Sequence, residues 1–159
     1  RFHTGIAIEN LFGSMMYGGY ETLARLCDSF CAENVGICWD TGHEIAYLLP
    51  DQMSQFGDQI IYTHFHDNLG TKDFNGRLSG RDDLHLLPFD GIADWSAIAE
   101  TLAASPYNGP LTFEVKIQNP KGRHEHDGYL AMPIEQYFAE CYKRACRVGA
   151  LYLRTKANN

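Results

Sequence analysis

Four apolar runs of the sequence end in side chains able to bind a metal or move a proton. TGIAIE closes on Glu9, followed by Asn10; VGICW leads into Asp40-Thr41-Gly42-His43. QIIYTHF carries His64 near its end and runs on into His66 and Asp67, and PLTF is followed by Glu114. One such residue at the end of a strand is usually an exposed or capping group. Recurrence at four successive run ends points instead to a shared site. Two glutamates, an aspartate and an imidazole form an oxygen-rich donor set with one nitrogen. Such a set suits Mn²⁺, Co²⁺ or Mg²⁺, and Zn²⁺ if further imidazoles join.

These residues share a site only if the intervening elements bring the run ends together. Leu23, Leu26, Cys27 and Phe30 have helical spacing and predict a helix over 20–33. Short strands are expected at 4–9, 35–39, 59–65 and 110–115, with a helical turn beginning at Glu44. Residues 68–92 are polar and rich in Gly and Asp, which predicts a long loop. Asp94 is an N-cap for a helix over 94–104 that carries Trp95, Ile98 and Leu102 on one face. A final helix is expected at about 133–153, with Pro133 in its first turn. Strands alternating with helices predict parallel β/α packing, in which chemistry gathers at the carboxyl ends of the strands.

Composition narrows the function classes. The 159 residues suit a single domain, and 45% hydrophobic with 21% charged residues is ordinary for a folded globule. Thirteen basic against twenty acidic residues leave a net charge of −7, which opposes binding to phosphate backbones. No apolar stretch is long enough to span a bilayer, so neither nucleic acid nor membrane is expected as a partner, and a cytoplasmic location is. The five cysteines are odd in number and two pairs sit in helix-like segments, which predicts reduced, buried thiols. Cys27 and Cys31 have no second Cys/His pair at zinc-finger spacing.

Four segments resemble the sugar phosphate isomerase/epimerase family of the xylose isomerase-like barrels: VGICWDTGHEIAYL (35–48), IIYTHFHDN (60–68), DLHLLPFDGIADW (83–95) and YNGPLTFEVK (107–116). The resemblance extends from Gly5 to about Leu153 and implies a TIM-type (β/α) barrel, of which this chain carries about four units, matching the second half. It implies a divalent metal held by Glu9, Asp40, His64 and Glu114, with Glu9 and Glu114 as the acid/base pair. The family pattern His-x-x-Asp selects His64 over His66 as ligand and leaves His66 as a loop residue near substrate. His43 matches a residue that touches sugar in the epimerases and binds metal in the related abasic-site endonucleases. Asp83 and His85 match a pair that carries another metal in those endonucleases.

The implied activity is metal-dependent isomerisation or epimerisation of a ketose or related sugar, free or phosphorylated, through an enediolate. Where the epimerases carry an Arg six residues after the metal-binding His, this chain has Gly70. Arg77 and Arg81, farther along that loop, are the expected replacements as substrate contacts. Asn10 is expected to support Glu9. Met15, Met16 and Tyr17 are candidate substrate neighbours, and His124 and His126 a candidate accessory metal pair or lid. Family barrels have eight β/α units in about 250 residues. Residues 1–159 as one half barrel are therefore expected to self-associate, to pair with a missing amino-terminal half, or to belong to a longer sequence. The alternatives are a non-catalytic sugar-binding fragment and an endonuclease of the abasic-site type.

Overall fold

The computed structural model describes residues 5–11, 19–29, 35–46, 53–70 and 80–158. Its sheet is parallel, in the order β1 (Ile6–Glu9), β2 (Val35–Asp40), β3 (Ile60–His64). Gly36 through Asp40 of β2 are buried, as expected of a strand covered on both faces. β1 is at the sheet edge and leaves Ile6 61% exposed. Register sets Glu9 beside Cys38 and Asp40 beside His64, so the polar residues arrive together at the carboxyl ends.

The expected fourth strand narrows to a single parallel bridge between Phe65 and Phe113. The Phe65 N–H donates to the Thr112 carbonyl at 2.8 Å, and the Glu114 N–H to the Phe65 carbonyl at 3.1 Å. Before the bridge, the ladder is replaced by a side chain. Pro110 has no N–H to offer, and its carbonyl accepts from the Thr63 hydroxyl, which itself accepts from the Thr112 N–H at 3.0 Å. The bridge suffices to hold Glu114 level with His64.

α1 (Gly19–Ser29) follows β1 and buries Leu23, Ala24 and Cys27. Leu26, expected on the same face, is 44% exposed. α2 (Thr41–Ala46) starts directly from β2, and a 3₁₀ segment (Met53–Gln59) leads into β3. α3 (Trp95–Ala104) is capped as expected, with the Asp94 carboxylate accepting from the N–H groups of Ser96 and Ala97. A one-turn α4 (Asp127–Leu130) precedes α5 (Ile134–Asn158), which packs on α3 and runs past the expected end near 153. Ile37, Trp39, Met53, Phe65, Trp95, Leu102 and Val148 are among the residues of one core between sheet and helices.

The loop after β3 is organised by Asp67. One carboxylate oxygen accepts from the N–H groups of Asn68 and Ala93, the other from the Phe89 N–H and the Trp95 indole, at 2.9–3.0 Å. The carboxylate is fully buried, and a Cβ on Gly91 would strike it. Four donors for one buried charge tie β3 to the start of α3. Asp67→Asn sets an amide NH₂ against two of those donors. It is expected to lower stability by about 2–4 kcal/mol in urea unfolding; an unchanged midpoint would remove the carboxylate from this role.

Candidate metal centre

Asn10 joins the end of β1 to the end of β2. Its Nδ2 donates to the Asp40 carbonyl at 2.8 Å and its Oδ1 accepts from the Asp40 N–H at 2.6 Å. Asn10 thus holds the backbone of Asp40, where support for Glu9 was expected. At the same junction the Asp40 carboxylate accepts from the His43 N–H through Oδ1, at 2.8 Å.

Glu9, Asp40, His64 and Glu114 come together: each offers a ligand atom within 4.8 Å of the others. His64 Nδ1 is 3.3 Å from Glu9 Oε2 and 3.1 Å from Glu114 Oε2. Exposure is graded. The side chain of Asp40 is 0% exposed, those of Glu9 and His64 25% and 27%, and that of Glu114 42%. Asp40 Oδ2 and His64 Nδ1 are buried atoms that complete no hydrogen bond. Two unsatisfied donor atoms facing carboxylates suit a cation, and the oxygen-rich set fits the divalent ion the residue types imply.

A second group lies alongside: His43, His66, Asp83 and His85. The rings of His66 and His85 stack at 4.0 Å, and His43 meets both edge-on. His85 has a left-handed backbone (φ 49°), unusual for a residue with a Cβ. Its ring nitrogens lie 2.7 Å from the Glu114 carbonyl and 2.8 Å from Asp83 Oδ2. His85 therefore connects the two groups through the backbone of Glu114.

The electrostatics follow from this crowding. Burial opposes a charge on His43, but Asp83 and Glu9, with Asp40 behind them, push its pKa up to about 10. Burial works in the other direction on Asp83, yet His43 and His85 hold its carboxyl well below the usual range. Asp40 is likewise lowered against its burial by His66 and His43. Burial first, then Glu9, Asp40 and Glu114, push the Cys38 thiol up to about 12, so it is a packed, inert group. The described cysteines 27, 38, 141 and 146 are all free; Cys27 and Cys38 are buried as expected, whereas Cys141 is half-buried and Cys146 exposed on α5.

Other expected site residues fall differently. His66 is fully buried, its Nε2 3.0 Å from Asp40 Oδ1, with no open surface for the substrate contact expected of it. Arg81 is exposed at the return of the loop, while Arg77, Met15, Met16, Tyr17 and Cys31 lie outside the described residues. His124 and His126 do not form a pair: His124 is exposed beside Asp127, and His126 is buried with Nε2 donating to the Leu84 carbonyl at 2.7 Å. Arg123, not anticipated, pairs with Asp82 at 3.3 Å and Glu125 at 2.8 Å, next to the Asp83 loop. Its nearest sequence signal was the charged run RHEHD (123–127).

The family pattern of the xylose isomerase-like TIM barrel matches residues 3–132. The chain belongs to that family. The uncharacterized protein y4fM of Sinorhizobium fredii is 33% identical over 147 residues, covering 88% of this chain and 44% of y4fM. The uncharacterized protein MJ1311 of Methanocaldococcus jannaschii is 27% identical over 117 residues, 70% of this chain and 36% of its own length. In fold, the chain matches a xylose isomerase domain protein from Alicyclobacillus acidocaldarius with a TM-score of 0.63, at 18% identity, over 96% of this chain and 52% of that one. A xylose isomerase domain protein from Planctomyces limnophilus gives 0.62 at 20%, over 98% and 49%. The xylose isomerase-like chain thus spans less than half of its curated relatives and about half of these structures, and its α/β architecture with a parallel sheet is a partial barrel. Among the described residues, no helix is long and apolar enough to cross a membrane.

The raised His43 carries a pH signature. Its folded value of about 10 exceeds the model-peptide value of 6.5, so its charge stabilises the fold fully below about pH 6.5, and that gain is lost as pH rises through about 10. Chelator-treated protein is expected to lose urea resistance between pH 7 and 10, and His43→Gln to lose less; parallel slopes for the two would contradict this.

Proposed function

We propose that this xylose isomerase-like chain carries the metal-binding and proton-transferring part of an isomerase or epimerase acting on a ketose or related sugar. The observation that supports it most is the approach of both Glu9 and Glu114 to one nitrogen, Nδ1 of His64, at 3.3 and 3.1 Å, with both carboxylates partly open to solvent. A substrate is able to reach these two, whereas the buried Asp40 is able only to hold.

In this reading Glu9, Asp40, His64 and Glu114 hold one divalent ion, Mn²⁺, Co²⁺ or Mg²⁺, with Zn²⁺ as a further candidate. When bound, the ion supplies Lewis-acid polarisation of the substrate carbonyl. One glutamate takes the proton from the carbon next to that carbonyl, and the C–H electron pair enters the enediolate. The other glutamate returns a proton to the same carbon from the opposite face, which inverts it. Return of the first proton to the neighbouring carbon instead interconverts aldose and ketose. In this reading His43, cationic beside Glu9 and Asp83, would orient a substrate hydroxyl, and Arg81 and Arg77 are the proposed further contacts.

Association completes the reading: the outer edge of β1 has no strand partner among the described residues, and Ile6 is exposed there. Another set of β/α units, from a second copy or from the rest of a longer barrel, would cover it. The cytoplasm is the proposed location.

One observation favours a second reading. The group His43, His66, Asp83 and His85 offers donors for a further ion, as hydrolysis of abasic DNA by an endonuclease-type centre would require. The net charge of −7 opposes it. A non-catalytic sugar-binding piece is the remaining alternative.

The deciding experiment loads the protein with Mn²⁺ and follows deuterium uptake from D₂O into a panel of ketoses by NMR. Exchange is expected, with Glu9→Gln and Glu114→Gln each lowering it about 10²–10⁴-fold while Mn²⁺ still binds. Metal binding without exchange into any sugar would favour the non-catalytic alternative. Salt-dependent cleavage of abasic DNA would favour the endonuclease.

A further inference from the structure

We infer that His66 is a positioning residue that fixes the rotation of the Asp40 carboxylate, so that one oxygen stays turned toward the metal centre. The inference rests on the reading of Glu9, Asp40, His64 and Glu114 as ligands and goes beyond it, because His66 lies outside that set.

The Asp40 carboxylate has two unlike ends. Oδ1 is engaged, accepting from the His43 N–H at 2.8 Å and lying 3.0 Å from His66 Nε2. Oδ2 is buried without a hydrogen bond, and the carboxylate offers one oxygen to the group with Glu9, His64 and Glu114. A carboxylate in water exchanges its oxygens by rotation about its terminal bond. A half-turn here restores the same arrangement, whereas any partial rotation takes the engaged oxygen away from both the His43 N–H and His66 Nε2. The ring itself has nowhere to go. It stacks on His85 at 4.0 Å with 11° between planes, meets His43 edge-on, and has Nδ1 3.3 Å from the Asp67 carbonyl.

The backbone on the remaining side is Gly42, where a Cβ would overlap the imidazole. Glycine at 42 is thus required by the ring beside it, in a helix whose start would otherwise favour a residue with a side chain. Thr41 secures the same stretch, its hydroxyl donating to the His66 carbonyl at 3.0 Å. A fully buried imidazole clamped on all these sides, with one nitrogen against a carboxylate, fits a part that holds another residue in place. Residues one step removed from a metal typically influence affinity 10–100-fold.

The test measures Mn²⁺ affinity by calorimetry and the visible spectrum of the Co²⁺-loaded protein, for wild type and for His66→Leu, His66→Asn and His66→Gln. Gln is able to place a nitrogen near the position of Nε2; Asn is too short and Leu offers none. Leu and Asn are expected to weaken Mn²⁺ binding 10–100-fold and to alter the Co²⁺ bands, which report coordination number and geometry. Gln is expected to stay within about threefold of wild type with unchanged bands. Thermal melts of the metal-free variants control for folding, and if Leu does not fold, the Asn and Gln pair decides. Wild-type affinity and spectra in the Leu and Asn variants would overturn the positioning role alone, as would a Gln variant no better than Asn. A wild-type protein that takes up no Mn²⁺ overturns the ligand reading and this inference with it.

Discussion

Negative charge gathered at the ends of parallel strands is the constraint to which the rest of the molecule answers. Glu9, Asp40 and Glu114 place carboxylate oxygens within 4.8 Å of one another, and Asp83 stands just beyond, across His43. Two unit charges about 4 Å apart repel by about 4 kcal/mol at an effective dielectric constant near 20. Water at the partly exposed Glu9 and Glu114 screens part of that repulsion, and none reaches the side chain of Asp40. Such a cluster persists only beside cations. His43 supplies one from within the chain, which is why its pKa rises to about 10 in spite of burial. The unsatisfied Asp40 Oδ2 and His64 Nδ1 mark where another charge would fit.

The fold sets where that charge sits and how rigidly. β2 is the central strand and delivers Asp40 into a dry position, while Asn10 locks the Asp40 backbone to the neighbouring strand end. Glu114 arrives on a segment that pairs only through Phe113, yet its carbonyl is held by His85 and its N–H by Phe65. Asp67 does the corresponding work on the outer side of the sheet. Its four donors tie the residue that follows it, Asn68, to Phe89, Ala93 and Trp95 at the approach to α3.

Much of this was legible because it is periodic or punctuated. Alternating strands and helices, the Asp94 cap and the polar ends of the apolar runs are local signals, and a parallel sheet makes those ends converge whatever the connections do. The parts that were not legible depend on side chains acting at a distance. Nothing in the run PLTF announces that a threonine hydroxyl on β3 would replace its ladder and reduce a strand to one bridge. Asn10 reads as a neighbour of Glu9, but its amide matches the backbone of the adjacent strand. His66 reads as a loop residue open to substrate, and only the stacking of His85 and the missing Cβ of Gly42 bury it. Leu26 fits the helical period and still faces outward, since period alone does not fix how wide a face the core will cover.

Exposure separates the roles within the centre more sharply than residue type does. Three of the four donors in the first group are carboxylates, and chemistry alone would let any of them act as base. Asp40 is closed to solvent, approached by His66 and His43, and shifted toward permanent ionisation, so it has neither the access nor the proton affinity to exchange protons with a substrate. Glu9 and Glu114 differ from it in position: each sits at the margin of its strand pairing, β1 at the sheet edge and Glu114 just past a lone bridge. The buried centre of the sheet thus fixes Asp40, and its weakly paired margins carry the two more open carboxylates.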